Sequence, residues 1–132
     1  MSKKNNLEIL PINFRHEKQF LRDQHLDTWE RIRNLSDLDI SLILQKKSLC
    51  TESRLKKIRA IASFIIELKL TPNQAYLLLH SGVGSIKTLS TFDPYTLGRI
   101  IGRFERKMRT KTDLEINQKL LKEWILKSKR LT

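Results

Sequence analysis

The sequence predicts an all-α protein in which one helical unit occurs twice, and three observations carry that prediction. Four glycines and three prolines in 132 residues leave little material for a turn-rich sheet architecture. No stretch shows the period-two alternation of a half-buried strand. Apolar positions recur at helical spacing instead, and their order in the first half returns in the second.

The return is legible residue by residue. At an offset of 57, Leu21 aligns with Leu78, Leu26 with Val83, Trp29 with Ile86, Ile32 with Leu89, Leu35 with Phe92, Ile40 with Leu97 and Ile43 with Ile100. A two-residue insertion shifts the offset to 59, where Leu55 meets Leu114, Ile61 meets Leu120, Ile65 meets Trp124 and Ile66 meets Ile125. The apolar pattern is what repeats, so the same core is expected twice: 8–68 as the first unit, 69–132 as the second, and 1–7 as a basic disordered tail.

Each element has its own signal. Glu17 to Asp23 reads as a short amphipathic helix, and Asp27 or Thr28 as the N-cap of a turn bearing Trp29 and Ile32. Ser36-Asp37 caps a helix with Leu38, Ile40, Ile43 and Leu44. Thr51 opens the longest helix, with Leu55, Ile58, Ile61, Ala62, Ile65 and Ile66 facing inward. Thr71-Pro72 joins an N-cap to proline at the first helical position, and Gly82 stops that helix in the left-handed region. Asp93-Pro94 repeats the device ahead of Leu97, Ile100, Ile101 and Phe104. Thr112 or Asp113 begins the last helix, with Leu114, Leu120, Leu121, Trp124 and Ile125 turned in.

Composition narrows the class of function. With 39% hydrophobic and 30% charged residues the chain has enough apolar surface to bury a core. The single cysteine, Cys50, has no internal partner for a disulfide, which suits a reducing compartment such as a cytoplasm or plastid stroma. No apolar run approaches the roughly 18 residues of a membrane span, and Met1 to Asn6 lacks the pattern of a secretory signal. The net charge is +12, with 14 basic and 9 acidic residues in 1–70 and 12 basic and 5 acidic in 71–132. Both halves therefore attract polyanions: DNA or RNA, an acidic protein surface, or anionic lipid.

The connections Leu26-Asp27-Thr28-Trp29 and Val83-Gly84-Ser85-Ile86, each leading to a capped helix at Leu35-Ser36 or Phe92-Asp93-Pro94, resemble those of helix-hairpin-helix modules. More closely, the tandem arrangement resembles a family of cyanobacteria and plastids known as a domain of unknown function, DUF4332. The segment Thr112-Asp113-Leu114 through Leu120-Leu121-Lys122-Glu123-Trp124-Ile125 to Lys129 carries most of the likeness, which covers roughly 8 to 130. The resemblance implies two helix-hairpin-helix-like (SAM-domain-like) repeats packed as one compact helical domain, and a link to nucleic-acid-binding hairpins. Such hairpins hold a phosphate on a Gly-x-Gly turn and the amides of the next helix start. Placed on this sequence, the turns fall at Ile12-Asn13-Phe14 and Lys69-Leu70-Thr71, neither with a glycine. Gly82-Val83-Gly84 reads as a helix stop followed by a turn.

The chief functional signal is cationic. Arg99, Arg103 and Arg106 recur at i, i+4, i+7 opposite an apolar stripe, and Lys107, Arg109 and Lys111 extend the row with Glu105 as its one acid. A smaller cluster, Arg54, Lys56, Lys57 and Arg59, opens the long helix of the first unit. Clustered cations suit phosphates because guanidinium forks bind them and counterions are released; the competing reading is a solvated helix face. His16, His25, His80 and Cys50 have no metal-ligand spacing. His80 fits a helix C-terminus, Asp37 and Asp39 a helix start, and Trp29 and Trp124 the core. No nucleophile triad, P-loop or dinucleotide fingerprint is present. The expected function is a non-catalytic module without cofactor or metal that binds DNA or RNA phosphates without reading sequence, contacting them through Arg99, Arg103, Arg106, Lys107, Arg109 and Lys111, with Arg54 and Lys57 as a lesser set. The alternative is an adaptor for an acidic protein partner.

Overall fold

Side-chain caps set where the helices begin. The computed structural model describes residues 14–46, 49–108 and 117–132, and for 104–108 the backbone alone. Over those residues the chain forms eight helices and no strand: α1 (Arg15–Asp23), α2 (Trp29–Arg33), α3 (Asp37–Gln45), α4 (Glu52–Leu68), α5 (Pro72–His80), α6 (Ile86–Leu89), α7 (Pro94–Met108) and α8 (Gln118–Leu131). Thr28, Thr51 and Ser85 each accept a hydrogen bond from the backbone N–H three residues on. Ser36 with Asp39, and Thr71 with Gln74, form reciprocal capping boxes. Asp93 Oδ1 accepts from Thr96 N at 2.8 Å and starts α7. The predicted start of the last helix at Thr112 or Asp113, and the predicted tail at 1–7, lie outside the described residues. The described part of that helix begins later, where Asn117 caps Leu120 N.

The two ends of the chain are wired alike. α4 packs on α2 and α3, α8 packs on α6 and α7, and α4 also meets α5 and α8, so one buried cluster runs from Phe14 to Ile125. Trp29 and Trp124 are both in it, as their stripes predicted. The position of α4 between these neighbours corrects the expected inward face. Phe64 and Leu68 are buried, whereas Ile65 and Ile66 are only half-buried, because a helix flanked on several sides buries more than one stripe. On α3 the reverse holds: Ile40 and Ile43 are buried while Leu38 stays 68% exposed. The predicted core residue Phe104 falls where only the backbone is described.

Polar contacts tie the elements together. Glu17 is fully buried on α1, and its Oε2 accepts from Thr51 N at 2.8 Å, holding α1 against the start of α4. Arg59 on α4 donates to Leu35 O at 3.0 Å and pairs with Asp37 at 2.9 Å, fixing the turn into α3. Between α7 and α8 the approach is closer. A Cβ on Gly98 would lie 2.7 Å from Gln118 Nε2, the atom that donates to Pro94 O.

Candidate nucleic-acid interface

Arg99 and Arg103 stand one turn apart on α7, and both are exposed. Helical spacing puts them on one face, as the sequence requires. The Arg99 guanidinium lies 5.7 Å from the centre of the Tyr95 ring, one turn earlier, so an exposed aromatic face steadies it. Arg106 and Lys107 fall within α7 where the backbone alone is described. Arg109 and Lys111 lie outside the described residues.

The first-unit cluster divides. Lys56 pairs with Glu52 at 2.9 Å, and that hydrogen bond holds its proton more tightly than usual. Arg59 is engaged by Asp37 and the Leu35 carbonyl, and it draws the Asp37 carboxyl below its ordinary range. Arg54 is half-buried, with its backbone N–H on the Thr51 cap. Lys57 is exposed, and no described carboxylate pairs with it or with Arg99 or Arg103.

Lys57 meets a feature that the sequence reading did not join to it. It lines a hollow of about 450 Å³ with Ala60, Leu79, His80 and the glycines of the α5–α6 turn. Gly82 adopts φ +101°, and a Cβ on Gly82 or Gly84 would meet nothing within 4 Å, so an outside group can approach that backbone. The Gly-x-Gly spacing was a usable signal, since Ser85 caps α6 directly after it. Of the two hairpin turns the resemblance places on the chain, Ile12 and Asn13 of the first lie outside the described residues, and the second, in the α4–α5 connection, turns on Lys69 in the left-handed region at φ 59°. His80 ends α5 against the Tyr76 ring, with centroids 4.0 Å apart. Burial first, then the charge of Lys57, pushes its proton affinity down. Position at the helix end is therefore as predicted, but the environment disfavours the cation that a helix C-terminus would attract.

Most of the described acidic side chains have a partner within the chain. Glu17 and Asp39 bind backbone N–H groups, Asp37, Glu52 and Glu67 pair with cations, and Asp93 accepts from Thr96 through both carboxylate oxygens, which lowers its proton affinity. Among the described residues, no group of three or more His, Cys, Asp or Glu side chains is placed to hold a metal, and no helix is long and apolar enough to cross a membrane.

These features define a basic, all-helical domain in which most described carboxylates have a partner within the chain while Arg99, Arg103 and Lys57 are exposed. Its sequence matches the profile of a domain of unknown function (DUF4332) over residues 11–131, and the chain belongs to that family. No curated protein and no solved structure matches it.

Proposed function

We propose that this protein is a non-catalytic module that binds the phosphate backbone of DNA or RNA without reading base sequence. One observation carries the reading: the described acids are largely engaged within the fold, while Arg99, Arg103 and Lys57 project to solvent without a carboxylate. Arg106, Lys107, Arg109 and Lys111 continue the α7 row in sequence, and half-buried Arg54 lies one turn from Lys57. In this reading α1–α2 and α5–α6 are tandem helix-hairpin-helix-like hairpins, and the open glycines beside Lys57 give the second an approachable backbone. The cell context suggested by the family likeness, a cyanobacterial cytoplasm or plastid stroma, belongs to the same proposal.

Fluorescence anisotropy with a labelled 20-nucleotide single strand and the matching duplex, across a salt series, tests it. The logarithm of the affinity should fall linearly with the logarithm of salt. Each cation removed in Arg99→Ala, Arg103→Ala and Lys57→Ala should reduce the slope by about 0.7–0.9. A flat salt response, or a triple variant that binds like the wild type, would overturn the reading.

A further inference from the structure

The seam between the α6–α7 turn and α8 differs from its counterpart at the α2–α3 turn and α4. In the first half, Arg33 on α2 forms an ion pair with Glu67 on α4 across the seam. In the register read from sequence, the matching positions of the second half are Ser90 and Leu126. Both line an open cleft of about 450 Å³ whose floor is Phe92, Pro94, Ile125 and Leu126. Among the described residues no ion pair crosses it, and Leu126 is 55% exposed.

The geometry points to a docking cleft for an acidic peptide segment that carries one large apolar side chain. Charge selects that occupant. Lys122, Leu126 and Lys129 succeed one another at i, i+4, i+7 on α8, so two cations flank the apolar floor on one helix face. Both lysines are exposed, and neither pairs with a described carboxylate. The acid on the opposite rim, Asp93, is engaged as the cap of α7 through Thr96 N and Oγ1 at 2.8 and 2.7 Å, so it offers an incoming anion little to displace. Thr91 N and Phe92 N are already bonded within the turn, and a phosphate backbone carries no apolar side chain to cover this floor. A Leu or Phe side chain gains from burial against Phe92 and Leu126 while neighbouring carboxylates meet Lys122 and Lys129. The cleft volume lies in the range that accommodates such an anchor. This site is separate from the phosphate reading and stands without it.

The probe is a fluorescein-labelled, terminally blocked dodecapeptide of Asp, Glu and Gly with a central Leu-Phe pair, read by anisotropy on the whole protein. Replacing that pair by Ala-Ala should weaken binding about tenfold or more, as loss of an anchor does. Ser90→Arg with Leu126→Glu should install the first half's lock and produce a similar loss, while leaving the oligonucleotide salt curve at its wild-type slope. Should that double variant fail to fold, Lys122→Glu with Lys129→Glu changes exposed side chains only and should weaken the peptide to the same degree. Equal binding of the Ala-Ala peptide, or wild-type binding by the variants, overturns the proposal. So does displacement of the peptide by a single-stranded oligonucleotide. A dimer in sedimentation that peptide does not dissociate but Ser90→Arg/Leu126→Glu abolishes would overturn it in favour of a second copy of this chain.

Discussion

The α1–α2 and α5–α6 turns close with the same hydrogen bonds and different residues. Gln24 N donates to Phe20 O, His25 N to Arg22 O and Leu26 N to Leu21 O; 57 residues on, Ser81 N donates to Leu77 O, Gly82 N to Leu79 O and Val83 N to Leu78 O. The residue at the left-handed position is His25 in one (φ 58°) and Gly82 in the other (φ 101°). Helix-stop geometry and the buried Leu21 and Leu78 therefore impose the turn, and glycine is not required for it. What glycine adds is access: the second turn is bare toward Lys57. The seams differ as well: Arg33 pairs with Glu67 across the first, while the matching Ser90 and Leu126 carry no such pair and line a cleft in the second.

The sharpest test of this equivalence is also the largest effect. Leu21 and Leu78 are both fully buried, and both carbonyls accept the bond that closes their turn. Leu21→Ala and Leu78→Ala should each cost about 2–5 kcal/mol in urea unfolding. Similar costs sharpen the comparison. If one variant is nearly neutral, the two cores are not alike.

At the left-handed position the variants should separate. Gly82→Ala should cost about 1–2 kcal/mol, because a Cβ is disfavoured at positive φ. His25→Gly removes that strain but frees the unfolded chain, so the two effects, each about 1 kcal/mol, should nearly cancel. A Gly82→Ala protein as stable as the wild type would show that the second turn tolerates side chains as the first does.

Much of this fold was readable without coordinates because its signals are local. Thr28, Ser36, Thr51, Thr71 and Asp93 cap as predicted, since a cap needs only a side-chain oxygen and the amides that follow it. The burial of Phe64 and Leu68 was not readable, because it depends on helices brought to α4 from distant parts of the chain. The candidate site divides along the same line. The row of Arg99 and Arg103 follows from spacing on one helix, whereas the engagement of Arg59 by Asp37 and Leu35, and the meeting of Lys57 with Gly82 and Gly84, join segments 22 to 27 residues apart.

The Arg33–Glu67 pair should contribute less than either effect above. Each side chain is 32% exposed, so water screens the pair and its loss in Glu67→Gln should cost about 0.2–1 kcal/mol, diminishing at high salt. The counterpart change, Leu126→Gln, should leave stability almost unchanged, because that side chain covers an open cleft. A larger loss from Leu126→Gln than from Glu67→Gln would mean the second seam is closed by its own apolar contacts.

The smallest expected effect is the pH slope that His80 contributes. His80 is half-buried against Tyr76 and faces Lys57, and both burial and that charge lower its proton affinity below the ordinary value of 6.5. The unfolded chain therefore binds the proton more readily than the folded one, so stability should be full above the unfolded value and decline as pH falls through it, levelling only below the folded value. The matching residue of the first half is Asp23, exposed and hydrogen-bonded by Gln19, and the lowered carboxylates Asp37 and Asp93 start from 3.8, below this window. His80→Gln should therefore flatten the dependence of urea midpoint on pH between about 7.5 and 5, relative to the wild type. Lys57→Ala should flatten it in part, since burial is the larger cause and remains. Parallel slopes in the wild type and His80→Gln would show that the hollow beside the glycine turn admits enough water to solvate the imidazolium.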